Sequence, residues 1–383
     1  MLLVHKIELT PNATQRVAFA QAAGVARFAY NWALAEWQRQ YKEGGKPSEA
    51  ALRRQFNAVK RDEFPWAMDV SKCAPQQAIK NLGTAFKRFF EHKGKYPRFK
   101  KKGIHDSFRA ENGPAKAGAH AVPVDGKRIK LPRIGWVKMR EAVRFQGQIK
   151  SVTISCRAGR WFAAISIDAQ ELPHSRKNHG AVGIDLGVSA LATLSTGEKV
   201  IGPKAHKAKL DRLRRLSRSL SRKKKGSANR RKAKVKVARL HAQIANIRSD
   251  ALHKLTTQVV LNFDLIGIEN LNVKGMARNR RLARSVMDQA MYELRRQLEY
   301  KASWYGSTVV VADRWYASTK TCSECGVVNP AVVLGVKEWD CPDCGAHHDR
   351  DTNAAINLEN MAVSSTVSAC GPEGSGLAAL AAE

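Results

Sequence analysis

The chain is 383 residues long with 44% apolar content, more than one small core can use, so two or more domains are expected. A net charge of +33 and a pI near 10.2 point to a polyanion. Nucleic acid is favoured over an anionic membrane, because no amphipathic anchor with bulky aromatics on one face stands out. The longest apolar runs fall far short of a bilayer span, and Met1 to Ile7 lack the apolar stretch of a secretory signal, which predicts an intracellular protein.

Residues 1–10 read as a strand stopped at Thr10-Pro11-Asn12, where Thr10 is placed to cap and Pro11 to start a helix. The stretch that follows, with Phe28, Tyr30, Trp32 and Trp37, predicts a helix to about Tyr41, ended by Gly44-Gly45. Another helix is expected from about Pro75 to His92, with Ala78, Leu82, Ala85, Phe86 and Phe89 as its apolar stripe. Gln76, Gln77, Lys80, Lys87 and Arg88 lie largely off that stripe. A solvated polar face is the plain reading of them. Contact with phosphates or base edges is the functional one, and Gln76, Gln77 and Lys80 are its candidates. Residues 93–102 are a basic connector broken by Gly and Pro. From about Val122 the periodicity falls to two. Val124-Asp125-Gly126-Lys127 carries the Asp-Gly hairpin signature, and two strand-like runs flank a turn at Gly159. The expectation is a small, barrel-like β module to which residues 1–10 add a strand, with Cys156 as a buried small hydrophobe.

After a linker from Pro173 to His179, Val182-Gly183-Ile184-Asp185-Leu186-Gly187-Val188 reads as a buried strand with a carboxylate in its middle. An isolated buried charge is expensive, so Asp185 calls for a cation or a metal ion. Residues 190–201 add two strands around a Ser195-Thr196-Gly197-Glu198 turn, completing a meander. Residues 204–239 then hold 17 Lys and Arg against one acid, Asp211. Leu210, Leu213, Leu216 and Leu220 give the first part a helical stripe, Gly226-Ser227 breaks it, and Val237, Leu240, Ile244 and Ile247 continue on a second helix. The pair reads as a basic helical hairpin whose Arg222, Lys223, Lys224, Lys225, Arg230 and Arg231 face a phosphate backbone.

Leu265-Ile266-Gly267-Ile268-Glu269-Asn270-Leu271 repeats the arrangement of an apolar run with a carboxylate. A basic loop over residues 274–284, a helix from about Met287 to Trp304 and a strand from Thr308 to Asp313 follow. Asp349-Arg350-Asp351-Thr352-Asn353-Ala354-Ala355 opens a helix. Acids on two strands and a helix suit a two-metal phosphodiester site, in which hard oxygen ligands hold divalent ions about 3.5–4 Å apart.

Seven cysteines, an odd number, in an intracellular chain point to metal rather than disulfides. Cys322-x-x-Cys325 and Cys341-x-x-Cys344 supply two thiolates each at knuckles turned by Gly326 and Gly345. Four thiolates close a tetrahedral site, so structural zinc is expected; a rubredoxin-like iron site fits the same spacing. His347 and His348 then read as surface or nucleic-acid contacts.

With these motifs in order, the sequence resembles the TnpB (OrfB) family of transposon-encoded proteins, relatives of type V CRISPR effectors. Ala26-Arg27-Phe28-Ala29-Tyr30-Asn31-Trp32 looks like the family's first helix, and the segments at Gly183–Gly187, Gly267–Leu271 and Asp349–Asn357 look like its three RuvC motifs. The resemblance implies an α/β multidomain protein with an RNase H-like RuvC nuclease domain, a zinc-ribbon insert, a helical recognition domain and a β-barrel wedge domain. On this chain these fall at 11–95 for recognition, 1–10 and 96–172 for the wedge, 180–317 and 347–362 for the nuclease and 318–346 for the ribbon, with a disordered tail at 363–383. It implies catalysis by Asp185, Glu269 and Asp351 holding two Mg²⁺ or Mn²⁺ ions, with one structural Zn²⁺ on the four cysteines. Asp349 does not fall on the catalytic position. The implied partners are a transposon-derived guide RNA and double-stranded target DNA cut beside a short target-adjacent motif, the protein acting as a monomer in the prokaryotic cytoplasm at the nucleoid. A guided repressor that has lost cleavage and an RNA-independent transposase or resolvase are the alternatives.

Overall fold

Residues Leu2–Leu9 alternate between buried and exposed positions, the period of a strand with one wet face, and form β1. The computed structural model describes residues 1–112, 122–169, 180–333 and 335–369 and divides into two units, Met1–Pro173 and His174–Glu383. The expected linker at 173–179 and Cys370 lie outside the described residues.

In the first unit α1 (Ala13–Lys42) is capped by Asn12, not by Thr10. Asn12 Oδ1 accepts from the Gln15 amide and Gln15 Oε1 accepts from the Asn12 amide, a reciprocal box that only the spacing Asn-x-x-Gln provides here. Helix α2 (Glu49–Val59), capped by Ser48 and burying Leu52 and Phe56, has no counterpart in the sequence reading. A 3-10 turn over Pro65–Met68 leads to α3 (Cys73–Phe90). The α3 stripe is inward as expected at Ala78, Leu82 and Phe86, and Trp37 stacks on Phe86 with ring centroids 4.1 Å apart.

The β module begins with β2 (Ser107–Glu111), followed by β3 (Val124–Asp125), β4 (Arg128–Leu131) and β5 (Gly135–Lys138). Long strands β6 (Gly147–Arg157) and β7 (Arg160–Ala169) close it, turning through Ala158 and Gly159, both at positive φ. That turn geometry matches the twist of an antiparallel pair. One sheet has the order β1-β7-β6-β2 and another β3-β4-β5, so residues 1–10 do add a strand, paired with β7 along its full length. Cys156 is partly exposed rather than buried.

The second unit starts with β8 (Ala181–Asp185), β9 (Ala192–Leu194) and β10 (Lys199–Val200), the expected meander. Helices α4 (Ala205–Ala208), α5 (Leu210–Ser221) and the 35-residue α6 (Ala228–Asn262) make the hairpin. Strand β11 (Leu265–Ile268) follows, then α7 (Val273–Met276), α8 (Ala283–Gln289), α9 (Met291–Tyr305) and β12 (Thr308–Val311). The helix expected from Met287 to Trp304 is thus broken at Ala290, which takes a left-handed conformation at φ +57°. The basic loop at 274–284 is partly helical. Short strands β13 (Glu338–Asp340) and β14 (His347–Asp349) precede α10 (Arg350–Ala369), which carries the helix through residues 363–369 of the expected disordered tail; residues 370–383 lie outside the described residues.

The central sheet runs β10-β9-β8-β11-β12, with β8, β11 and β12 parallel and the other two strands antiparallel. Gly183 of β8 and Gly267 of β11 stand opposite each other in register. A Cβ on Gly183 would lie 1.8 Å from the Ala355 carbonyl oxygen, and one on Gly267 would lie 2.1 Å from that of Leu358. Only glycine lets the α10 backbone rest this closely on the sheet. Ala354, Ala355, Leu358 and Ala362 are fully buried beneath it, so small residues on helix and sheet together fix where the first turn of α10 sits.

Candidate active site and metal centre

Three segments bring acids together at one end of the sheet. Asp185 ends β8, Glu269 follows β11 directly, and Asp351 is the second residue of α10. Parallel strands in register carry the first two residues to the same edge, and the Leu186 amide donates to Glu269 Oε1 at 2.9 Å. Burial pushes the Asp185 carboxyl up to about 7, with the neighbouring Asp351 charge adding to it and Arg350 opposing it. Burial also pushes Glu269 up to about 8, reinforced by Asp185. Two buried carboxyls that repel one another are costly to ionise, and a divalent cation is the partner that would reverse both shifts. The hard oxygen donors fit such a cation.

The two aspartates at the start of α10 have different roles. Asp349 Oδ1 accepts from the amide and hydroxyl of Thr352, capping the helix, while its Oδ2 pairs with Lys199 Nζ at 2.7 Å. Asp351 is held by Arg350, whose Nη2 lies 2.9 Å from Oδ1. Arg350 was not foreseen, although an arginine between two acids at a helix start is a legible sign of charge management.

Among the described residues, Cys322, Cys325, Cys341 and Cys344 present sulfur atoms all within 4.8 Å of one another. The Cys322–Cys344 and Cys325–Cys341 separations are 3.7 and 3.5 Å, against a tetrahedron edge of about 3.8 Å for Zn–S bonds of about 2.3 Å. Both knuckles turn alike: Gly326 and Gly345 lie at φ +78° and +74° and donate to the Cys322 and Cys341 carbonyls. The cluster can therefore bind zinc. His348 corrects the sequence reading, being buried with Nε2 3.0 Å from Cys322 Sγ and its ring against Trp339. His347 is exposed and pairs with Asp340.

Two asparagines join this cluster to α10. Asn353 and Asn357, buried one turn apart, both donate through Nδ2 to the Thr321 carbonyl, and the Ser323 amide donates to Asn353 Oδ1. They anchor the entry to the first knuckle on the helix that bears Asp351. The i, i+4 asparagine pair on an otherwise apolar face was the signal that could have found them.

Family models match residues 164–280 (OrfB_IS605, described as "Probable transposase"), 292–358 ("Cas12f1-like, TNB domain") and 1–46 ("Helix-turn-helix domain"). A Streptomyces pristinaespiralis protein named "Putative RNA-guided DNA endonuclease" is 39% identical over 96% of this chain and 90% of its own length. The chain belongs to the OrfB (TnpB) family. A second relative, "Putative RNA-guided DNA endonuclease InsQ" of Escherichia coli (strain K12), is 35% identical over 97% of this chain and 94% of its own. The fold is like that of a solved structure described as "Cryo-EM structure of the Cas12f1-sgRNA-target DNA complex", with a TM-score of 0.59 at 15% identity over 89% of this chain and 82% of that one. Residues 1–46, matched as a helix-turn-helix, fold here as one strand and one 30-residue helix. Among the described residues, no helix is long and apolar enough to cross a membrane.

The remaining candidate positions of this OrfB chain separate by exposure. Arg222, Lys224, Lys225 and Arg231 are exposed on the hairpin and Lys223 is partly so. Arg230 is engaged, its Nη1 donating at 2.9 Å to the carbonyls of Leu220 and Lys223, which closes the end of α5. In the first unit Lys80 is exposed and Gln76 partly so, whereas Gln77 is turned inward, buried and donating to Glu111 of β2. Its placement off the apolar stripe misread it, because α3 packs against β2 on that side as well.

Arg222, Lys223, Lys224 and Lys225 lie in the turn between α5 and α6 rather than on a helix face, and four like charges in succession repel one another there. A bound polyanion relieves this and releases counterions. Replacing Arg222, Lys223, Lys224 and Lys225 with Gln is therefore expected to weaken nucleic-acid binding equally for target and unrelated sequences. The slope of log affinity against log salt should flatten by up to roughly 0.7–0.9 for each phosphate no longer neutralised. Filter binding across a salt series measures both, and an unchanged slope would assign this run to a solvated face.

Proposed function

We propose that the chain is an RNA-guided DNA endonuclease of a transposon, which cuts DNA beside a short target-adjacent motif by hydrolysis at Asp185, Glu269 and Asp351. The observation that carries this reading is the convergence of three acids from two parallel strands and a helix, with two of them pushed far above the ordinary carboxylate range by burial. Names of the relatives support the substrate and the guide, and the 17 basic residues of the hairpin region support a nucleic-acid scaffold. The mixed five-stranded sheet supports the RNase H-like reading of residues 180–317 and 347–362, and the four thiolates support zinc in 318–346. Residues 11–95 are read as the recognition domain, with 1–10 and 96–172 as a wedge whose sheets would close in barrel fashion.

Asp185, Glu269 and Asp351 would hold Mg²⁺ or Mn²⁺, which supplies an activated water and charge stabilisation for the leaving oxygen. The chain's own contribution is orientation. The Leu186 amide fixes Glu269, Arg350 fixes Asp351 against its neighbours, and Asp349 and the two asparagines hold the first turn of α10. Intact acids argue against a purely repressing role.

RNA that copurifies with the expressed protein should include one dominant transposon-end species. Plasmid DNA matching its terminal segment should be cut in Mg²⁺ and left whole in EDTA. Cutting of the plasmid by RNA-free protein would overturn the guided reading in favour of a resolvase.

A further inference from the structure

Asp351 is bracketed by contacts to a single knuckle of the cysteine cluster. Three residues before it, His348 sets Nε2 3.0 Å from Cys322 Sγ. Two residues after it, Asn353 accepts from the Ser323 amide through Oδ1 and donates to the Thr321 carbonyl through Nδ2, at 2.9 and 2.8 Å. Both contacts therefore end on residues 321–323, and Asn357 adds a second donor to the Thr321 carbonyl at 2.7 Å. Between them the Arg350 amide donates to the Lys337 carbonyl at 2.7 Å, which carries the β13–β14 pairing up to the residue beside Asp351. Cys322 and His348 are both buried, whereas Cys325 and Cys344 face solvent, so the thiol that meets His348 is on the inner side of the cluster.

A zinc-bound thiolate carries no proton and can only accept, so a ring nitrogen in contact with it has to donate. Two ligands of one zinc would stand farther apart, about 3.6 Å for a sulfur and a nitrogen at Zn–S of about 2.3 Å and Zn–N of about 2.0–2.1 Å. The separation of 3.0 Å is that of a hydrogen bond, and four thiolates already complete a tetrahedron. Trp339, opposite His348 on the paired strand, lies against the imidazole with centroids 4.7 Å apart and holds the ring in place. We infer that His348 is a positioning residue: its Nε2–H donates to the Cys322 thiolate, and through this bond metal occupancy of the cysteine cluster is coupled to cation occupancy at Asp185, Glu269 and Asp351. The place of the second cation rests on the nuclease reading; the donor role of His348 does not. Such coupling is reciprocal, so occupancy at either site raises affinity at the other by the same factor.

The test compares full-length wild type with two variants. His348→Gln keeps an N–H where Nε2 stands, and His348→Phe keeps a ring against Trp339 but has no donor. Competition with the chromogenic chelator pyridylazoresorcinol measures the hold on zinc. Electron paramagnetic resonance of added Mn²⁺ measures cation binding, with Asp185→Ala as the baseline that isolates the acid cluster. In excess zinc both variants should take up one ion, with sulfur alone in its shell by X-ray absorption. His348→Phe is expected to hold zinc about 10- to 100-fold more weakly. It should also bind Mn²⁺ at the acids more weakly, by about 5- to 150-fold. His348→Gln should stay close to the wild type in both. Saturating Mn²⁺ should tighten zinc in the wild type and in His348→Gln, and not in His348→Phe. Wild-type zinc affinity in His348→Phe, losses in His348→Gln that match those of His348→Phe, or a nitrogen in the zinc shell would overturn the donor role. Weakened zinc with unchanged Mn²⁺ affinity would overturn the coupling. If Asp185→Ala binds Mn²⁺ as the wild type does, the nuclease reading falls and takes the coupling with it, while the zinc measurements still decide the role of His348.

Discussion

Asp185→Asn is expected to reduce cleavage of guide-matched DNA to background, by three or more orders of magnitude, on the order of 4 kcal/mol of transition-state stabilisation. The same variant is expected to melt at a higher temperature than the wild type at pH 8 in EDTA. In the folded chain Asp185 and Glu269 have carboxyls raised to about 7 and about 8. A carboxyl whose folded pKa exceeds its unfolded value contributes stability that is full below the unfolded value near 4 and lost as pH rises through the folded one. Without a divalent cation the wild type should therefore lose stability between about pH 4 and pH 8. An amide at 185 removes one of the repelling charges and should flatten that decline, by an amount on the order of 1–3 kcal/mol. Melting temperature should rise by about 2–4 °C for each kcal/mol in a unit of this size. Adding Mg²⁺ should stabilise the wild type and leave Asp185→Asn nearly unchanged. An asparagine variant that cuts at the wild-type rate would remove Asp185 from the catalytic set. One that is inactive but melts earlier at pH 8 would show that burial, rather than charge, dominates there.

Gly183→Ala is expected to abolish cleavage without touching an acid. The new Cβ would meet the Ala355 carbonyl oxygen at 1.8 Å and the Glu359 amide at 2.6 Å. Both belong to helix backbone, which cannot swing aside as a side chain can. Relief requires α10 to lift from the sheet, and Asp351 in its first turn moves with it. Overpacking of this kind costs about 1–3 kcal/mol. Misplacing a reacting group by about 1 Å can cost about a hundredfold in rate. Gly180→Ala is the control, since a Cβ there meets nothing within 4 Å. Cleavage rates and melting curves of the two variants should diverge; equal behaviour would mean that α10 does not rest on β8 through this contact.

The elements that the sequence by itself determined are those whose signal is local. Strand β1, the Asp-Gly hairpin, the turn at Gly159, the meander and the basic hairpin follow from periodicity and from residues that tolerate positive φ. Paired Cys-x-x-Cys knuckles are a short-range pattern of the same kind, and the structure closes them into one cluster. Asp185 and Glu269 stood out because a charge in an apolar run is a local contradiction that only a long-range partner resolves, whereas Asp351, set among Asp349, Arg350 and Thr352, was picked out by the family resemblance.

What only the tertiary structure decided depends on who packs against whom. Asn12 and Thr10 are both good caps by type, and the position of Gln15 chose between them. Gln77 looked polar and free, yet β2, some thirty residues later in the chain, covers it. His348 looked like a surface histidine until the fold set it against Cys322 Sγ. The resemblance already set Asp349 apart from Asp351, and the structure adds that Asp349 caps α10. Arg230 shows the limit of reading charge alone, since two backbone carbonyls already claim it. Glycines 183 and 267 carry no polarity or periodicity of their own. Their meaning is the close approach of a helix that begins more than eighty residues after the second of them, a distance over which composition and spacing carry no information.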